Sequence, residues 1–200
     1  WLLTDVLREA GLPDGVLGHV VGGAEIGEAL AHHPRIAGIT FTGSRRVGSA
    51  LARHFASGPW VRPCLAEMGG KNAVIVTRHA DLERAAMGIT RSSFGLQGQK
   101  CSATSRVFVE RPVAEALREA LVARAEAIRV GDPTQRDNWM GPVIRSDTVT
   151  RYRRATEHLR DAGRIDAGGR LLDEGALARG FYVAPTVASI DYDDALWRDE

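Results

Sequence analysis

Apolar positions along the chain switch repeatedly between a helical and an extended period. Trp1, Leu2, Leu3, Val6 and Leu7 fall on one side of a helix over residues 1–10, which Gly11 and the turn Pro13-Asp14-Gly15 bring to an end. Val16 to Val21 then reads as a short buried strand, Glu25 to His32 as a short helix and, past Pro34, Ile36 to Phe41 as a second strand. Val47, Leu51 and Phe55 give a helix over 47–55. Val61 to Leu65, interrupted by Pro63, and Ala73 to Val76 are the next two strands. Asp81 is placed to cap a helix running through Ala85, Ala86 and Ile89, and Val107 to Val109 is extended. Pro112 opens the clearest helix, with Val113, Leu117, Leu121, Ala125 and Ile128 on one face. Met140 to Ile144 is extended, Asp147 to Ala162 is an arginine-rich helix with a solvated face, and the remainder is strands and loops. Helices alternating with strands predict an α/β fold with a parallel sheet.

Composition narrows the function classes. In 200 residues, 44% hydrophobic, 26 basic and 25 acidic side chains are mixed to a net charge of +1, so no basic stripe points to nucleic acid or a membrane surface. Small-molecule ligands are the expectation. No apolar run approaches the roughly 18–20 residues of a membrane span, and no leader pattern opens the chain, which suggests a cytoplasmic protein. Cys64 and Cys101 are too few for a disulfide scaffold and fit free thiols in a reducing compartment. The six histidines lack ligand spacing, so no metal is expected. The chain opens at Trp1 within an apolar helix face and stops at Glu200 without a terminating signal, as a piece of a longer protein would.

Three stretches carry candidate chemistry. In Phe94 to Arg106, Cys101 is the candidate nucleophile: Gly95 and Gly98 free the backbone, Gln97 and Gln99 offer neutral hydrogen-bonding groups, and Lys100 sets beside the sulfur a cation that favours thiolate. In Phe41 to Ser49, a strand runs through a glycine turn into a helix start. That junction suits a phosphate, but two glycines alone fit a plain turn better, and it is not the G-x-G-x-x-G fingerprint. The third is Glu67, at a strand end beside Gly69-Gly70. Desolvation there would fit it for general-base work, while a solvated or salt-bridged glutamate matches the same spacing. Cys64, in an apolar strand, reads as a packing residue.

In order along the chain, Phe41-Thr42-Gly43-Ser44, Glu67-Met68-Gly69-Gly70-Lys71 and Gly98-Gln99-Lys100-Cys101 resemble the cofactor turn, general-base segment and nucleophile segment of the aldehyde dehydrogenase superfamily. The resemblance covers nearly all of the chain. Glu67 to Asn72 and Phe94 to Arg106 look most like the branch that oxidises glutamate gamma-semialdehyde. It implies a fold truncated at both ends: the last part of a parallel, Rossmann-like NAD-binding domain over residues 1–70, and an α/β thiol domain over 71–200, incomplete at its C-terminus. It also implies NAD-linked oxidation of a small aldehyde, with NAD preferred to NADP, in a homo-oligomer. Cys101 would form the thioester, its backbone N–H would hold part of the oxyanion, and Glu67 would activate the hydrolytic water.

Phe41, Thr42, Gly43, Ser44, Gly48, Met68, Gly69 and Glu200 would contact the cofactor, with Glu200 at the nicotinamide-side ribose. Phe94 and Ser102 would contact the substrate, although the Ser102 hydroxyl could equally bond to local backbone. The family's oxyanion-hole asparagine and adenosine-ribose lysine would lie before Trp1, so the isolated piece is expected to be inactive. Alternatives are a general or coenzyme A-acylating aldehyde dehydrogenase, a structural fragment without turnover, and a cysteine hydrolase, which needs a histidine partner for Cys101. Glu67 favours water over coenzyme A as the acyl acceptor.

Overall fold

The computed structural model describes residues 1–198, which fall into two compact units, one up to Met68 and the other from Gly69 onward. The Glu200 assignment therefore lies outside the described residues.

In the first unit, helix α1 (Leu2–Glu9) ends before Gly11, whose φ of 93° only glycine adopts readily. The segment Val16 to Val21 is not a strand. Among the described residues no strand pairs with it, and Val16, Val20 and Val21 are 65%, 60% and 82% exposed. Helix α2 (Ala24–His32) follows as expected.

Strand β1 (Ile39–Gly43) starts three residues later than the apolar pattern suggests, because a turn closed by the Ile36 N–H donating to the His33 carbonyl (3.0 Å) holds the Pro34 segment. Strand β2 (Cys64–Met68) is displaced in the same direction, since Pro63 sits just before it, where its missing N–H costs nothing. Glu67 and Met68 consequently belong to a strand rather than to a loop. The two strands are parallel, in register from Ile39 opposite Cys64 to Gly43 opposite Met68.

Helix α3 (Arg45–Ala56) connects β1 to β2 and buries Leu51 and Phe55 with Ala31 of α2. Cys64 packs against this cluster, the structural role the sequence suggested. A Cβ at Gly48 would lie 2.7 Å from Met68 Sδ, so α3 approaches the ladder as closely as glycine allows.

The second unit repeats the arrangement. Strands β3 (Asn72–Val76) and β4 (Thr104–Val109) are parallel and joined by helix α4 (Leu82–Phe94), whose N-cap Asp81 accepts from the Arg84 N–H at 3.1 Å. Helix α5 (Arg111–Glu126) lies against α4. Val76, Ala86, Ile89, Leu117 and Leu121 form the core between them and the strands.

Helix α6 (Ser146–Ala162) leads into β5 (Gly163–Ala167), which pairs antiparallel with β6 (Val187–Ile190). This pair departs from the parallel expectation. Past Gly168 and Gly169, at φ of 76° and 69°, the two arms stay antiparallel, with Leu171 bridged to Val183 and the Leu172 N–H donating to the Tyr182 oxygen at 3.0 Å, so the chain reverses beyond residue 172; a Cβ at Gly168 would fall 2.0 Å from the Pro185 oxygen. Asp166, its side chain 4% exposed, is held by Arg118 at 3.1 Å, Arg164 at 2.8 Å and the Ser189 hydroxyl at 3.2 Å, fastening α5 to this hairpin. Among the described residues no helix is long and apolar enough to cross a membrane.

Candidate active site

The nucleophile segment begins where α4 ends. Leu96 (φ 52°, ψ 33°), Gln97 (φ 58°, ψ 28°) and Gly98 (φ 70°) form a left-handed turn. For the two non-glycine residues this costs on the order of 1–3 kcal/mol each, so surrounding contacts must hold it. They come from residues 141–144. The Gln97 amide is satisfied when its oxygen accepts from the Gly141 N–H (3.1 Å) and its nitrogen donates to the Leu96 oxygen (3.2 Å). Gln99 Oε1 accepts from the Ile144 N–H at 3.0 Å. At Gly98 a Cβ would stand 2.9 Å from the Ser93 carbonyl.

Past this turn, the Ala103 N–H donates to the Lys100 carbonyl at 2.9 Å, closing a β-turn with Cys101 and Ser102 at its centre. Both central residues are exposed, and the Cys101 thiol is free. Among the described residues the Cys101 N–H, the Ser102 N–H and the Ser102 hydroxyl have no hydrogen-bond partner, and no histidine bonds the thiol. The local backbone bond allowed for Ser102 is thus not made.

Asn72 Nδ2, at the start of β3, donates to the Cys101 oxygen at 2.6 Å and to the Ala103 oxygen at 3.3 Å. Ser92 and Thr104 share a hydroxyl pair at 2.8 Å, and Arg106 Nε donates to the Lys71 oxygen at 2.9 Å, securing the exit into β4. Phe94 and Lys100 line a cleft of about 610 Å³ in this unit, with Ile89 and Leu117 among its apolar walls; Cys101 and Ser102 stand outside it.

In the first unit, Thr42 and Gly43 end β1 directly opposite Glu67 and Met68 of β2. Ser44 caps α3, its hydroxyl accepting from the Val47 N–H at a long 3.4 Å. Phe41 is half-buried against the core, and Glu67 is exposed, so within this unit it lacks the desolvated surroundings the sequence suggested. Gly69 opens the second unit.

Sequence patterns did not mark Asn72 for a role: nothing in a polar residue two places after Gly70 tells that its amide crosses to a loop 29 positions away. Gln99 was marked as a hydrogen-bonding group, but not its partner Ile144.

The chain belongs to the aldehyde dehydrogenase family, whose sequence profile matches residues 1–200. It is 41% identical over 202 residues to a 1-pyrroline-5-carboxylate dehydrogenase of Geobacillus kaustophilus, a match that covers 98% of this chain and 38% of that relative. A crystal structure of 1-pyrroline-5-carboxylate dehydrogenase from Thermus with bound NAD superposes with a TM-score of 0.91 at 34% identity, covering 100% of this chain and 39% of that one. The gamma-glutamyl-gamma-aminobutyraldehyde dehydrogenase of Burkholderia cenocepacia gives a TM-score of 0.91 at 35% identity, covering 100% of this chain and 40% of that one. The chain thus spans about 38% of the length of the curated relative.

Proposed function

We propose that the full-length protein oxidises an aldehyde to a carboxylate with NAD, through a thioester on Cys101, and that the aldehyde is L-glutamate gamma-semialdehyde. The observation that carries this is the turn at residues 100–103, where an exposed thiol stands beside two unpaired backbone N–H groups. Identity of 41% to a 1-pyrroline-5-carboxylate dehydrogenase supports the substrate.

Cys101 Sγ bonds to the aldehyde carbon, and the displaced π electrons become an oxyanion that accepts from the Cys101 N–H. NAD, when bound, supplies the acceptor for the hydrogen of that carbon and its two electrons. The resulting thioester is hydrolysed by water that loses a proton to Glu67; the C–S bond breaks, Cys101 leaves as thiolate and the acid is released.

Residues of the first unit fit the dinucleotide. Gly48 lets α3 begin tight against β1 and β2, which places Ser44 and the first N–H groups of a twelve-residue helix at the carboxyl ends of two parallel strands, a favourable setting for a phosphate. We assign Phe41, Thr42, Gly43, Ser44, Gly48, Met68 and Gly69 to the cofactor and Phe94 and Ser102 to the substrate. Residues 1–70 then belong to the NAD-binding domain and 71–200 to the thiol domain of a cytoplasmic homo-oligomer.

The equal TM-score of the Burkholderia enzyme favours a second reading, a dehydrogenase of another amino-aldehyde. NADH formation by the full-length protein, with glutamate semialdehyde against gamma-aminobutyraldehyde derivatives, separates the two. Cys101→Ala should remove roughly four orders of magnitude or more of turnover. Glu67→Gln should keep a first equivalent of NADH and slow later turnovers about a hundredfold or more. Turnover that survives Cys101→Ala would sink the nucleophile, and absence of NADH with every aldehyde would sink the enzyme assignment.

A further inference from the structure

Type I and type II β-turns differ by a half rotation of the peptide joining their two central residues. In the turn at 100–103 that peptide is Cys101–Ser102, the one next to the thiol. Its oxygen is gripped by Asn72 Nδ2 at 2.6 Å, and the same nitrogen takes the Ala103 oxygen at 3.3 Å. A trans peptide carries its N–H and C=O on opposite sides, so drawing the Cys101 oxygen toward β3 turns the Ser102 N–H away from it. Ser102 is not among the residues with positive φ, and turning the peptide over would force it there.

The ladder is bent at this place. Asn72 pairs with Thr104 but Ala73 with Arg106, leaving Ser105 as a bulge beside the residue whose side chain reaches the turn. On the other flank, Gln97 and Gln99 fix the left-handed turn to residues 141–144, so two separate parts of the unit clamp the segment.

We infer that Asn72 is a positioning residue for Cys101. By holding the Cys101 carbonyl it leaves the exposed side of the turn with two N–H donors, and keeps a carbonyl oxygen from facing the thiolate or the oxyanion formed on it. This rests on Cys101 being the nucleophile but requires no particular aldehyde.

The test alkylates the full-length protein with iodoacetate and iodoacetamide, reagents that differ in charge, and follows the Cys101 peptide by mass spectrometry so that Cys64 does not contribute. Asn72→Ala and the shape-matched Asn72→Leu should lower the iodoacetate rate about tenfold and the iodoacetamide rate by less than about twofold, with NAD affinity and melting temperature close to wild type. An unchanged ratio of the two rates overturns the inference. So does a common fall of both rates together with melting temperature, or unfolding of both variants, since either shows a merely structural amide. If no aldehyde yields NADH, the proposed reaction fails, yet the alkylation ratio still reports on Asn72.

Discussion

The two units are built on the same device, a parallel pair of strands joined by a helix, and they complete it differently. In the second unit α4 and α5 both cover β3 and β4, and Ala86, Ile89, Leu117 and Leu121 close the core between them. In the first, the buried cluster is three residues, Ala31, Leu51 and Phe55, bordered by the partly buried Ile36, Ile39, Phe41, Val47 and Cys64, with polar side chains on one flank. Arg62 lies over the Phe55 ring at 4.3 Å, donates to the Ile36 oxygen at 3.1 Å and meets His54 Nε2 at 3.1 Å, while the His32 and His54 rings stand 4.2 Å apart. One unit is held by interdigitated apolar helices. The other has a smaller apolar core with a cation and two histidines against one side of it.

The comparison is sharpest at Phe55, which is fully buried. Phe55→Ala should cost about 3–5 kcal/mol and release the amides of α3 and of β1 and β2 to hydrogen exchange. Leu117→Ala, costing about 2–5 kcal/mol, should act on α4 and α5 instead. If either variant loosens both sets of amides equally, the two cores are not separate.

Acid should separate the units next. Partial burial first, then the neighbouring His32 and Arg62, holds His54 below its ordinary value of 6.5. The unfolded form therefore binds the proton more readily, and the first unit should lose stability as pH falls below about 6.5. In the second unit the lowered groups are carboxylates: Glu110 by Arg78, Glu115 by Arg118, Asp132 by the Thr134 N–H and hydroxyl, Asp147 by Arg145, and Asp194 by the Leu196 N–H and His158. Their contribution is present above the ordinary carboxylate range and is lost as pH falls through and below it. Hydrogen exchange at pH 7.5, 6 and 4 should find α3 opening before α4, and His54→Asn should remove the first step. Simultaneous opening would contradict the assignment.

The smallest effect concerns the caps. Asp81→Ala should cost about 1 kcal/mol in urea unfolding, and Ser44→Ala only a few tenths, because the Asp81 bond is 3.1 Å and the Ser44 bond 3.4 Å.

Much of this was legible in the residues because it depends on neighbours in sequence. Asp81 announced its helix by cap chemistry, Leu117, Leu121 and Ala125 announced theirs by spacing, and the glycines around Cys101 marked a backbone that departs from regular structure. What escaped depends on partners far along the chain. Val16 to Val21 has the composition of a strand, but among the described residues no strand pairs with it. Strands β5 and β6 run antiparallel, a pairing carried on by the Leu171–Val183 bridge, where the preceding alternation of helices and strands had suggested parallel strands. At the site, Cys101 and Glu67 stood out as reactive types, whereas Asn72 is an unremarkable amide until its reach of 2.6 Å to the Cys101 oxygen is seen.

Strand pairing also bears on how the chain is made. Among the described residues each ladder joins strands close in sequence: β1 with β2, β3 with β4, β5 with β6. As residues emerge from the ribosome in order, each pair is complete as soon as its second strand appears, without waiting for sequence still to be translated. Parallel strands ordinarily delay folding because their partners are remote in sequence. Here a single intervening α-helix within each parallel pair, α3 between β1 and β2 and α4 between β3 and β4, keeps that delay small.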